Sequence, residues 1–213
     1  MTYTRAIGVA CNLVIDPIVR GLTLSRIHPN VLTFLGLVIN AVAALLLASG
    51  RFRAAAVMMM SAGLFDLVDG RVARETNRVT RFGGFLDSAI DRYSDLVLLM
   101  GLLVYYASIN RFFYVVLTAV VMTGSVMVSY VRARAECIIP KCKAGFMERP
   151  ERVVLLILGA LFDRMAPVLW VIALLSNLTV VHRMIYTWQE TRRLEEAQLR
   201  PVPAPEALAN RRD

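Results

Sequence analysis

Residues 31–49 read VLTFLGLVINAVAALLLAS, 19 positions without one charged side chain. A helix needs about 20 such residues to cross a hydrocarbon core about 30 Å thick, so this stretch reads as a membrane span. Two more runs are of the same kind: 112–131 with 20 residues and 165–182 with 18. Charge cuts three further apolar stretches short. Residues 54–65 run into Asp66 and Asp69, and 96–110 follow Asp87, Asp91, Arg92 and Asp95. Residues 153–162 reach spanning length only if Arg149 and Arg152 lengthen their helix. The expectation is an all-α polytopic membrane protein with six spans, over 30–49, 53–73, 82–108, 111–136, 147–163 and 165–187.

The composition of the 213 residues agrees: 57% are hydrophobic, 19% are charged, and mean hydropathy is +0.58. Soluble domains carry about 25% charged residues. Three cysteines, an odd number, exclude a disulfide-stapled fold. With two histidines, His28 and His182, the chain does not point to a His/Cys zinc site. Net charge is +8, and of 24 basic residues only Lys141 and Lys143 are lysines. In so apolar a chain this excess points to anionic headgroups or anionic substrates at the membrane surface, not to nucleic acid.

The connections alternate in character. Short turns near residue 51, at 108–111 and at 163–166 carry four basic residues, Arg51, Arg53, Arg111 and Arg164. The other 20 lie on the opposite side or in helices entering it. The positive-inside rule makes that side cytoplasmic, with both termini inside and the protein in the cell membrane. Residues 1–27 are no cleaved signal, since Asp16, Pro17 and Arg20 interrupt the run. Ile7, Ala10, Leu13, Val14 and Val19 keep a helical spacing, which suits an amphipathic helix in the interface. A membrane domain over 1–187 is therefore expected, followed by a charged, Pro-rich cytoplasmic tail over 188–213.

A charge in a spanning helix costs at least about 2.5–3.5 kcal/mol on insertion scales, so it marks a candidate site. Five aspartates fall within 30 residues here: Asp66, Asp69, Asp87, Asp91 and Asp95. The spacings 66/69 and 87/91 put each pair on one helix face. Four carboxylates in one cleft repel, and a bound divalent cation or two relieves them. Oxygen donors without histidine favour magnesium, manganese or calcium. Arg74, Arg78 and Arg81 line the connecting turn, where they could grip phosphate. Carboxylates, metal and arginines together make a phosphoryl-transfer kit. A proton- or cation-coupled transporter is the rival class, because carboxylates in helix bundles also form relays.

The segment Asp66-Leu-Val-Asp69-Gly70-Arg-Val-Ala73-Arg74, eight residues, then Gly83-Gly-Phe-Leu-Asp87-Ser-Ala-Ile-Asp91, resembles the signature of the CDP-alcohol phosphatidyltransferases. That signature is D-x2-D-G-x2-A-R-x8-G-x3-D-x3-D, and every fixed position is met. The resemblance implies a two-metal site of Mg2+ or Mn2+ on Asp66, Asp69, Asp87 and Asp91, with Asp91 also the general base. It implies that Gly70, Ala73, Arg74, Thr80 and Gly83 hold the CDP part of a CDP-diacylglycerol donor, bordered by Asn30 and Thr33. The implied reaction is attack by an alcohol hydroxyl on the lipid-linked phosphorus, with CMP leaving.

A second region resembles the phosphatidylinositol-phosphate synthase branch of that family. It comprises Ser129-Tyr130-Val-Arg132-Ala-Arg134-Ala-Glu136 and Glu148-Arg149-Pro150-Glu151-Arg152. The branch implies inositol 1-phosphate as acceptor, its phosphate held by Arg132, Arg149 and Arg183; glycerol 3-phosphate or another polar alcohol is the alternative. Glu136, Glu148 and Glu151 are read as partners that orient these arginines, and Asp95 as a supporting group outside the metal set. Homodimers are common in the family, and one is expected here.

Overall fold

The computed structural model describes residues 29–75, 80–142 and 144–199, apart from the side chains of 29, 67, 69, 70, 72–75, 198 and 199. Six helices make up the described fold, and no strand occurs among the described residues. They are α1 (Pro29–Ala48), α2 (Phe52–Glu75), α3 (Arg81–Ser108), α4 (Phe112–Ala135), α5 (Arg149–Leu161) and α6 (Met165–Leu199). Each corresponds to one expected span. The interfacial helix expected over 1–27 and the end of the tail, 200–213, lie outside the described residues.

The three short turns close in the same way. Gly50, Asn110 and Asp163 take left-handed φ values of 74°, 55° and 56°. In each case the arginine that follows donates its N–H back across the helix end: Arg51 to Leu46 O, Arg111 to Tyr106 O and Arg164 to Gly159 O, at 2.9, 2.9 and 2.7 Å. Such left-handed closures satisfy the last carbonyls and reverse the chain within a few residues, so successive helices run antiparallel. Every short turn therefore falls at one end of the bundle. The two longer, Arg-rich connections fall at the other.

Packing is built on small residues. α1 lies against both α2 and α3, α4 against α3 and α6, and α5 against α2 and α6. At the α1–α3 crossing a Cβ on Gly101 would run into the Ala44 carbonyl, so the backbones meet as closely as small residues in membrane helices allow. Ala43, Leu47, Ala55, Met59, Leu98, Leu102, Leu156 and Leu169 form one continuous buried core. The outer surface is apolar as well: Phe34, Leu45, Val57, Met100, Phe112, Leu158, Trp170 and Leu174 are all exposed. A bundle apolar inside and out belongs in lipid. α1, α4 and α6 are long and apolar enough to cross a membrane by length and composition alone.

Two boundaries differ from expectation. α5 has 13 residues, about 20 Å at 1.5 Å per residue, which is short of a hydrocarbon core. Arg149 and Arg152 do extend it, and they turn inward to carboxylates instead of flanking the headgroups. α6 runs through residue 187 to Leu199, so the expected tail begins as helix. After Pro167 in its first turn, no proline or glycine occurs before Pro201. Arg193 pairs with Glu190 at 3.5 Å, and the Arg192 guanidinium sits 4.7 Å from the Trp188 ring centroid.

Candidate active site

The end of the bundle opposite the short turns collects the polar residues. Asp66 lies on the last turns of α2; Asp87, Asp91 and Asp95 lie on the first turns of α3. Thr80 caps α3 from an extended conformation, its hydroxyl accepting the Gly83 N–H at 2.9 Å. A Cβ on Gly83 would lie 3.0 Å from that hydroxyl and 3.7 Å from Asn30 Oδ1. Asn30, Thr80 and Gly83 thus meet at one point where α1 and α3 begin. Thr33, one turn along α1, is buried. Gly36 marks a further contact: a Cβ there would lie 3.1 Å from Asp66 Oδ1. Its sequence signal, a lone glycine in an apolar span, is too common to stand out.

Arg149 joins the carboxylates. It donates from Nη2 to Asp66 Oδ2 at 2.9 Å and from Nη1 to Asp91 Oδ1 at 3.0 Å, spanning α2 and α3 with the two arms of one guanidinium. Its Nε faces Asp95 Oδ1 at 3.6 Å, beyond hydrogen-bond range. The other Asp95 oxygen pairs with Arg152 Nη2, and both residues are buried. Asp95 thus lies between Arg152 and Arg149, one helical turn past Asp91. Arg152 belongs to the second resembling segment, but the resemblance assigns it no role of its own. Its signal was the i,i+3 spacing from Arg149, which puts both on one face of α5. Asp87 stands exposed at the mouth. The side chains of Asp69, Gly70, Ala73 and Arg74 lie outside the described residues, as does Arg78.

The remaining arginines gather on the other side of the start of α5. Glu148 Oε1 accepts from Arg132 Nη1 at 2.8 Å and from Arg183 Nη2 at 2.9 Å. Arg132 also pairs with Glu136 at 3.2 Å. Arg183 is 1% exposed and spends its other donors on backbone, Nε on Ala144 O at 2.8 Å and Nη1 on Val128 O at 2.6 Å. The structure thus brings Arg132 and Arg183 together on Glu148, whereas Arg149 points to the aspartates. Among the described residues Glu151 pairs with no arginine; it accepts the Glu148 N–H at 3.0 Å and so caps α5. Thr179 anchors the chain just before α5, its hydroxyl accepting from Phe146 N and Met147 N at 3.2 and 3.1 Å. Beside Arg132 an open cleft of about 640 Å³ lies between α3 and α4, lined by Phe85, Ser88, Arg92, Ser129 and Tyr130.

The donor set suits a hard divalent cation. Asp66 and Asp91 present carboxylate oxygens to one guanidinium, so a positive centre already sits between two of the residues at which the sequence expects metal. Among the described residues no three His, Cys, Asp or Glu side chains converge closely enough to hold a metal by themselves.

A helical bundle with an apolar surface and a charged cleft at one end is an integral membrane protein built to work on polar groups at the bilayer surface. The chain belongs to the CDP-alcohol phosphatidyltransferase family, whose model matches residues 26–188. It is 35% identical over 181 residues to an archaetidylinositol phosphate synthase of Methanothermobacter thermautotrophicus, covering 82% of this chain and 89% of that one. It is 37% identical over 183 residues to a phosphatidylinositol phosphate synthase of Mycobacterium bovis, covering 81% and 84%. A Mycobacterium tuberculosis phosphatidylinositol phosphate synthase solved with CDP-DAG bound superposes with a TM-score of 0.76 at 33% identity, over 82% of this chain and 94% of that one. The same enzyme with manganese and citrate gives 0.75 at 34%, over 82% and 88%. Membership makes the chain an enzyme of transferase class and sets aside the transporter reading.

Proposed function

We propose that the chain transfers the phosphatidyl group of CDP-diacylglycerol to inositol 1-phosphate, giving phosphatidylinositol phosphate and CMP. The observation that carries this reading is the placement of Asp66 and Asp91 on one guanidinium beside a second arginine cluster, in a chain whose relatives are inositol-phosphate lipid synthases. In this reading Asp66, Asp69, Asp87 and Asp91 would hold two divalent cations, Mg2+ or Mn2+. Such cations, when bound, neutralise the donor's diphosphate and the departing CMP.

The chain's own residues do the rest. Asn30, Thr33, Gly70, Ala73, Arg74, Thr80 and Gly83 seat the CDP group where α1 and α3 begin, with small residues admitting the nucleotide to the backbone. Asp91 takes the proton from the attacking hydroxyl as the new O–P bond forms and the bond to CMP breaks. Arg132 and Arg149 receive the acceptor's phosphate, with Arg183 holding Glu148 and the preceding loop in place behind them. The six helices form a membrane domain over 1–187, in which α5 is too short to span the hydrocarbon core by itself, with the site and both termini on the cytoplasmic face of the cell membrane, as the arginine distribution favours.

The test is release of CMP from CDP-diacylglycerol by purified protein, with an acceptor panel of inositol 1-phosphate, inositol and glycerol 3-phosphate and identification of the lipid product. Turnover with inositol 1-phosphate alone is expected. An archaeal-type ether-lipid donor run in parallel decides the lipid half, since relatives of both kinds are similar. Faster turnover with glycerol 3-phosphate would move the acceptor assignment and leave the transferase chemistry standing.

A further inference from the structure

We propose that Arg149 is an exchangeable counter-ion, which clamps Asp66 to Asp91 until divalent cations take those carboxylates and is then released toward the acceptor's phosphate. The proposal rests on the function just stated and adds an order of assembly to it. Its basis is a difference among the arginines of the site. Arg183 is buried and gives all three nitrogens to fixed protein groups, two of them backbone carbonyls. Arg132 is held by Glu136 and Glu148, neither of them a candidate metal ligand. Arg149 alone of the three is bonded to candidate metal ligands, Asp66 Oδ2 and Asp91 Oδ1.

Those bonds and metal ligation compete. A guanidinium nitrogen sits about 2.9 Å from a carboxylate oxygen, whereas Mg2+ demands about 2.0–2.1 Å and near-ideal geometry. A cation drawing Asp66 and Asp91 to itself would share their gap with the guanidinium, at close like-charge repulsion. Once displaced, Arg149 has somewhere to go. It follows Glu148 directly, and Glu148 is the residue on which Arg132 and Arg183 meet. Side-chain rotation at the start of α5 therefore carries the guanidinium from one cluster toward the other. Asp95 keeps it nearby, because Arg152 already holds Asp95 in place and its free oxygen faces Arg149 Nε. Metal loading then assembles the acceptor site, and by linkage an acceptor phosphate held by Arg149 tightens metal binding.

The test uses the full chain in detergent, stripped by chelator, with bound Mn2+ measured from the loss of the free-ion paramagnetic resonance signal. Arg149→Gln is expected to bind Mn2+ about tenfold tighter than wild type, a coupling of ordinary size. Its stripped form should also melt earlier than stripped wild type, because Asp66 and Asp91 lose their cation, and saturating Mn2+ should close that gap. If Arg149→Gln does not fold, Arg149→Lys takes its place: a compact ammonium cannot bridge two carboxylates as a guanidinium does, so Mn2+ again binds tighter. Equal or weaker Mn2+ affinity in the folded variant, or equal melting of the stripped proteins, overturns the exchange. CMP release by wild type in the same preparations tests the transferase reading separately. Turnover with an unchanged Mn2+ affinity sinks the exchange alone.

Discussion

Asp95 on α3 and Arg152 on α5 form an ion pair shut inside the bundle, 4% and 2% exposed. It ties the first turn of α5 to α3 one helical turn past Asp91, and so sets where Arg149 reaches. A buried pair of this kind is strong evidence for position and weak evidence for stability, because desolvation offsets most of the attraction.

Breaking the pair should be costly all the same. Asp95→Asn leaves the Arg152 charge buried without its partner, and a loss of about 3–5 kcal/mol is expected. The double change Asp95→Leu with Arg152→Met should recover most of that. Thermal midpoints in detergent read both. A double variant no more stable than the single one would mean that the pair contributes net stability.

The carboxylates should be indispensable to turnover. Asp66→Asn and Asp87→Asn each keep side-chain shape and remove a ligand charge, so CMP release should fall close to background while the protein still inserts and purifies. Chelator should abolish wild-type activity, and Mg2+ or Mn2+ should restore it. Unchanged turnover in chelator would end the two-metal reading.

Asp91 separates base from ligand. A base acts mainly in the transition state, so Asp91→Asn should lower kcat far more than it weakens CDP-diacylglycerol binding. Titration of the donor against the inactive variant measures the second quantity. An equal collapse of both would make Asp91 chiefly a metal ligand.

The acceptor arginines should divide by their surroundings. Arg132 is partly exposed beside the α3–α4 cleft, and Arg132→Gln should raise the KM for inositol 1-phosphate about tenfold, or about 1.4 kcal/mol, with little change for the donor. Arg183→Gln should instead lower the thermal midpoint, because the Ala144 and Val128 carbonyls and Glu148 lose their donor. A pure KM effect at Arg183 would contradict its anchoring role.

Gly101 tests the helix crossing. A leucine there drives a side chain into the Ala44 backbone, and overpacking of this kind typically costs about 1–3 kcal/mol. The expected readout is a lower thermal midpoint with the metal dependence of the remaining activity unchanged.

The helices and the aspartate set could be read from the chain because both rest on local spacing. An uncharged run of 19 residues has few fates but a span, and aspartates three or four apart must share a helix face wherever that helix packs. The closing of the short turns was equally local, since Gly50, Asn110 and Asp163 are residue types that tolerate positive φ at modest cost. The arginines were another matter. Arg152 meets a carboxylate 57 positions away, and Arg183 meets a carbonyl 55 positions away. Which partner each found depended on how α5 and α6 sit against α3 and α4. Sequence spacing places Arg152 near the start of α5 but names no partner for it. In the folded protein α5 is 13 residues long, and one face of its first turn, the one that carries Arg152, packs against the other helices. Arg152 itself is 2% exposed there, and a buried guanidinium must find a carboxylate. Spacing decided which residues carry charge to the site; only the packing of the helices decided which of those charges face one another.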